Sequence, residues 1–278
     1  MARREKKGDG RPELTTEERL DRAWDALDDG QLERALELVS AVDPDDPERC
    51  VLEANVLLEA DDLAGARAAL ERAGDPDDTD ADAQVLWTSG ELELRSWNVE
   101  RARDLFARTA AHERPAPLLA RMALCAELLG DFAAADALLH EAARIDPEAW
   151  PVPTRLSEAE FEAVLDAAIT RLPDEFRGAL ADTQILVDAV PSMALVTGDD
   201  VAATPPDLLG LFVGASRLER SHDDALQLPP TIHLFQRNLE RAAFDREELI
   251  EEIRITLFHE IGHMLGFDEE GVEAMGLE

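Results

Sequence analysis

The chain has 278 residues and is 45% hydrophobic, long enough to bury two cores of ordinary domain size. Its 27 Lys and Arg stand against 62 Asp and Glu, a formal charge of −35 that repels phosphate backbones and anionic membranes and excludes nucleic acid as a partner class. No apolar run nears the ~20 residues that cross a bilayer, and no apolar segment follows the basic N-terminus, so the expectation is a cytoplasmic protein.

Residues 1–13 read as a disordered tail. They hold both lysines, Lys6 and Lys7, so Schiff-base and P-loop chemistry have no candidate lysine elsewhere. From 14 to 149 the sequence is rich in Ala, Leu, Glu, Arg and Asp, with apolar residues at helical spacing and turn signals at near-regular intervals. Short polar turns introduce DDGQLERALELV, ADDLAGARAALERA, RSWNVERARDLFARTA and LGDFAAADALLHEAARIDP. Ala35, Ala66, Ala102 and Ala135 hold equivalent places in these segments, where a small residue lets two helices pack closely. Their spacing is near the ~34 residues of a two-helix repeat. Pro44, Pro76 and Pro147 follow three of the units, where proline stops a helix without breaking one. Cys50 and Cys125 have no metal-like spacing and read as small buried hydrophobes. The stretch resembles degenerate tetratricopeptide repeats, which implies a helical-hairpin solenoid with a concave surface for an extended peptide or a protein partner.

Trp150-Pro151-Val152-Pro153-Thr154 forbids a continuing helix and marks a linker at 150–154, with a second domain at 155–278. Ser157 and Glu160 form a capping box, and Phe161, Val164, Leu165, Ala168, Ile169 and Leu172 trace one helical face up to Pro173. Gln184–Val187, Leu208–Val213 and Thr231–Phe235 are short β-prone runs, which predict a small sheet of three or four strands. The fold class expected is a helical-hairpin solenoid followed by a small α/β domain with a short mixed sheet.

The last helix is predicted to start at Asp245, with Glu248 as its capping partner, and to end at Gly266. Leu249, Ile253, Leu257, Ile261 and Leu265 recur every fourth residue and anchor one face in a core. His259 and His263 are one turn apart, so both imidazoles fall on one side, where a single Zn²⁺ can take both. Glu260, next to the first His, can reach a metal-activated water as general base without ligating. Gly266 can turn the chain back toward the metal. Glu269 then stands ten residues after His259, where an HExxHxxGxxH motif puts its third ligand, and Asp268 is the alternative.

HEIGHMLGFDEE, within EEIRITLFHEIGHMLGFDE, resembles the small bacterial zincin-like metallopeptidases, or minimal zincins. LLGLFVG at 208–214, Glu219-Arg220-Ser221 and LPPTIHLFQRNLE at 228–240 share in the resemblance, which extends over nearly all of 155–278. It implies a compact α/β zincin domain with the active-site helix, one zinc and peptide-bond hydrolysis. The Met-turn of larger metzincins is absent, and Met275 is not assigned that role. The zinc set expected is His259, His263 and Glu269, with Glu260 catalytic. A Tyr is a common oxyanion donor in such sites and this chain has none, which leaves Arg220, His222 and His233 as polar candidates. His233 reads as structural or cleft-lining and His222 as a solvated loop residue, while His112 and His140 in the repeats have no metal spacing.

Two functions of different class follow. One is a zinc peptidase whose repeats present a peptide or protein substrate. The other is a binding adaptor whose zinc site is structural or vestigial, against which an intact Glu260 argues, since a structural site needs no general base.

Overall fold

The computed structural model describes residues 14–172, 174–195, 204–214, 229–268 and 271. Two compact units divide the chain between Leu92 and Glu93.

The first unit is helical: α1 (Thr16–Asp28), α2 (Leu32–Val39), α3 (Pro47–Glu59), α4 (Leu63–Ala73) and most of α5 (Ala83–Arg95). α1 packs against α2, and α3 against α4. Thr15 begins α1 with a reciprocal capping box to Glu18, and Asp46 caps α3 ahead of Pro47, which lacks only an N–H that would be orphaned there. Ala23, Ala35, Leu38, Val39, Leu52 and Val56 form one core cluster, and Ala54, Leu58, Ala66 and Leu70 a second.

The second unit opens with three more helices, α6 (Val99–Thr109), α7 (Ala116–Leu128) and α8 (Phe132–Ile145). α7 packs on both α6 and α8. Ala35, Ala66, Ala102 and Ala135 are each the fourth residue of an even-numbered helix and each fully buried. Cys50 and Cys125 are both buried, as expected. The residue two places before each of these helices is left-handed: Gly30, Asp61, Trp97 and Gly130, with φ of 70°, 56°, 62° and 81°. Glycine suits that position because an L side chain crowds the backbone there.

After Pro153 come α9 (Glu158–Arg171), with the predicted Ser157/Glu160 capping box, and α10 (Asp174–Ala179). Sequence periodicity stopped at Pro173 and did not foresee α10. Phe161, Leu165, Ala168 and Leu172 are buried along the predicted face. Among the described residues three strands follow: β1 (Gln184–Asp188), β2 (Gly210–Val213) and β3 (Thr231–Phe235), ordered β1-β3-β2. β3 is parallel to β1 and antiparallel to β2, so the sheet is mixed. β3 runs directly into α11 (Gln236–Ala242), and the chain then forms α12 (Arg246–Leu265). Ile232 and Leu234 of β3 share a core with Leu249, Ile253, Leu257 and Ile261 of α12, all four fully buried. Burying each such side chain contributes roughly 1.5–3 kcal/mol, enough to hold α12 rigidly on the sheet. No helix among the described residues is long and apolar enough to cross a membrane.

Candidate metal centre on the last helix

The start of α12 is specified locally. Asp245 accepts hydrogen bonds from the backbone N–H groups of Glu247 and Glu248, and those first-turn carboxylates complement the helix dipole. The Glu248 carboxylate does reach back, but it accepts from the N–H of Phe244 at 2.7 Å, one residue earlier than a capping box requires. At the far end Gly266 is left-handed at φ 98°. Its N–H donates to the His263 carbonyl at 2.9 Å, and the Phe267 N–H to the Gly262 carbonyl at 3.1 Å, a closure that satisfies two terminal carbonyls.

This closure also sets the second histidine. It brings the Phe267 carbonyl to 3.2 Å from Nδ1 of His263. A carbonyl only accepts, so Nδ1 carries the hydrogen and, in the neutral ring, Nε2 keeps its lone pair. Nε2 of His263 lies 2.9 Å from Nε2 of His259, with the rings nearly perpendicular. Two lone pairs held that close repel unless a proton or a cation lies between them. Nitrogens on one tetrahedral Zn²⁺ at ~2.0–2.1 Å stand roughly 3.3 Å apart, so a small movement of either ring accommodates the metal. The negative end of the helix dipole at His263 favours a cation as well. The pair therefore fits zinc.

Glu260 is buried and faces the sheet. A Cβ built on Gly210, the first residue of β2, would lie 3.0 Å from both Cγ and Oε1 of Glu260 and 2.7 Å from Cγ2 of Thr256. Strand β2 thus packs its bare backbone against the side of the Glu260 arm, a contact only glycine permits. Neither Gly210 nor Thr256 was singled out from the sequence. A glycine inside an apolar β-prone run is the signal that a close backbone approach leaves.

Of the two carboxylates considered as third ligand, Asp268 is exposed and its Oδ1 accepts the Gly271 N–H at 3.0 Å, while Glu269 lies outside the described residues. Among the described residues no group of three or more His, Cys, Asp or Glu side chains forms a metal cluster. His222, Arg220 and Met275 also lie outside the described residues. His233 is buried on β3, and its Nδ1 lies 2.8 Å from Oδ2 of Asp188 on β1. Strand alternation puts it on the sheet face opposite Ile232, Leu234 and Gly210, so the structure does not bring it to the histidine pair. In the helical region Nδ1 of His140 meets the Asp136 carbonyl at 2.7 Å, and His112 is exposed. Near the helix centre Glu252 titrates above the usual carboxylate range because it is partly buried, with Glu248 and Glu251 adding repulsion.

Residues 180–277 match the family model of the zincin-like metallopeptidases, a span that holds all three strands, α11 and α12. No curated protein matches the chain.

Proposed function

We propose that this zincin-like metallopeptidase domain is a zinc peptidase in which His259 and His263 ligate the metal and Glu260 is the general base. The observation that carries the reading is the 2.9 Å convergence of the two Nε2 atoms, with Glu260, the residue after the first histidine, buried against β2. Glu269 completes the ligand set, and Asp268 is the alternative; the engagement of Asp268 with the Gly271 N–H favours Glu269. The chemistry a bound Zn²⁺ supplies there is polarisation of the scissile carbonyl and activation of a water.

The protein's own groups do the rest. Glu260 takes a proton from the attacking water and returns it to the leaving amine, and the strand wall at Gly210 restricts the arm from which it does so. The Phe267 carbonyl holds His263 in the tautomer that leaves Nε2 unprotonated. The helical pairs of the N-terminal half present a peptide or protein substrate, or dock a protein partner.

Glu260→Gln tests the reading. Zinc content should stay near that of the wild type, while hydrolysis of a mixed peptide library falls by about 10²–10⁴-fold, the contribution of a general base. Equal hydrolysis by zinc-replete Glu260→Gln would refute the peptidase reading and favour an adaptor with a structural zinc site.

A further inference from the structure

A buried ionic cluster joins the helical pair α7–α8 to α11. Glu127 of α7 is fully buried and accepts from Arg155 at 3.1 Å and Arg237 at 3.2 Å, and also from Arg241. Asp136 of α8 takes second bonds from Arg155 and Arg237 at 2.7 and 2.9 Å, and Glu240 one from Arg155 at 2.8 Å. Arg241 passes the connection on: its Nη2 donates to Oδ1 of Asn238 at 2.7 Å. The buried amide of Asn238 donates in turn to the carbonyls of Leu208 at 2.7 Å and Pro206 at 3.1 Å.

Those carbonyls belong to the segment that feeds β2. It is held at successive points: the Trp97 indole N–H donates to the Thr204 carbonyl at 2.9 Å, Arg121 pairs with Asp207 at 3.0 Å, and the Phe235 N–H donates to the Leu209 carbonyl at 2.9 Å. The next residue is Gly210, which abuts Glu260. Trp97 makes its bond from a left-handed backbone, the position that holds glycine in two of the four equivalent turns. A tryptophan there bears a conformational cost that its own turn does not require.

We propose that Asn238 is a positioning residue for the hydrolytic site: driven through Glu127 and Arg241, and assisted by Trp97, it clamps Thr204–Leu209 so that β2 fixes the Glu260 arm. The helical pair α7–α8 is then part of the catalytic unit and not only a presenter of substrate. The proposal rests on the reading of Glu260 as general base. A cluster that served stability alone would need neither the Asn238 branch to two carbonyls nor a tryptophan in a glycine-type turn, since apolar packing stabilises as well as buried ion pairs.

Asn238→Asp tests it in the full chain, keeping shape while aiming oxygen at the Pro206 and Leu208 carbonyls. In the zinc-free protein, deuterium uptake should rise across residues 208–213 and stay unchanged across 249–263. In the zinc-loaded protein kcat should fall about 10- to 100-fold, the scale of a misplaced catalytic group, with KM for peptide and zinc stoichiometry unchanged. Trp97→Phe, which removes the indole N–H and shrinks the ring while keeping it aromatic, should show both effects in weaker form and serves if Asn238→Asp does not fold. Raised uptake with an unaltered kcat in a foldable variant would reduce the clamp to a structural role and overturn the proposal, as would unaltered uptake. If the wild type is no more active than Glu260→Gln, the peptidase reading fails and the positioning role fails with it, and raised uptake in Asn238→Asp then shows only that Asn238 holds β2 in place.

Discussion

Adding one methyl group at Gly210 separates the two neighbours that the close approach of β2 joins. In Gly210→Ala the new Cβ meets Cγ2 of Thr256 at 2.7 Å and Cγ and Oε1 of Glu260 at 3.0 Å, whereas carbon atoms rest ~3.5–4.0 Å apart. The strand and helix are both core-anchored, so close to 1 Å of movement must come from the side chains or from β2 itself. Overpacking of this size costs about 1–3 kcal/mol. In a unit of this size, that lowers the melting temperature by roughly 2–12 °C. Displacement of the Glu260 arm should separately reduce kcat by about 10²-fold, the cost of ~1 Å misplacement of a reacting group. Thr256→Ser removes the closer obstacle, so the double variant should recover most of the lost melting temperature and little of the lost kcat. The measurements are thermal unfolding followed in the near-ultraviolet and peptide turnover at matched zinc content. A single variant with unchanged melting temperature and kcat would refute the tight approach, and a double variant recovering both would show that Glu260 is not pressed by the strand.

Further outcomes follow from the same structure. His263→Ala should lower zinc from about one per chain to near none by elemental analysis, because it removes one of two converging Nε2 atoms. Glu127→Gln should destabilise the second unit by about 3–5 kcal/mol in urea unfolding read by its own tryptophans, Trp97 and Trp150, because it withdraws the buried charge facing Arg155, Arg237 and Arg241. For Asp136, burial alone would raise the pKa, but the hydrogen bonds from Arg155 and Arg237 outweigh it and hold the carboxyl below its usual 3.8. A depressed folded pKa stabilises above the unfolded value and is lost as the pH falls through the folded one. The stability of the second unit should therefore decline below about pH 4, and Asp136→Asn should flatten that limb in acid titrations followed by circular dichroism.

Where the determinants are local, the sequence reading and the structure agree. Ala35, Ala66, Ala102 and Ala135 are legible because a helix repeats its environment every turn, and Asp245, Ser157 and Gly266 because caps act within four residues. The three strands were legible from short apolar runs between prolines and acids, and His259 and His263 converge because one helical turn separates them. Helix α10 was not legible, since Pro173 reads as a stop and nothing in the six following residues carries a full period. The Asp188–His233 contact and the bare-backbone approach of Gly210 to Glu260 were not legible either, because each joins residues 45 or more apart, the first brought together by the β1–β3 pairing and the second by the packing of α12 on β2.

The arginine cluster shows why such sites escape a reading by segments. Trp150–Thr154 separates two textures of sequence, yet Arg155, immediately after it, bonds back to Glu127 and Asp136 and forward to Glu240. Taken singly, each of these residues looks like the charged face of an acidic protein. Together they place three guanidinium groups around a carboxylate with no solvent exposure, an arrangement that is costly unless every partner is present. Among the described residues the sheet beside Glu260 has three strands. Its outer strand β2 is four residues long and, among the described residues, pairs with β3 alone. A strand that short gains little order from its own ladder, so its position must be set from its ends. In this chain the N-terminal end is held by Asn238, Trp97 and Arg121, two of which belong to the helical half. The helical pairs and the strand that abuts Glu260 are joined at the point where that strand has least support from its own ladder.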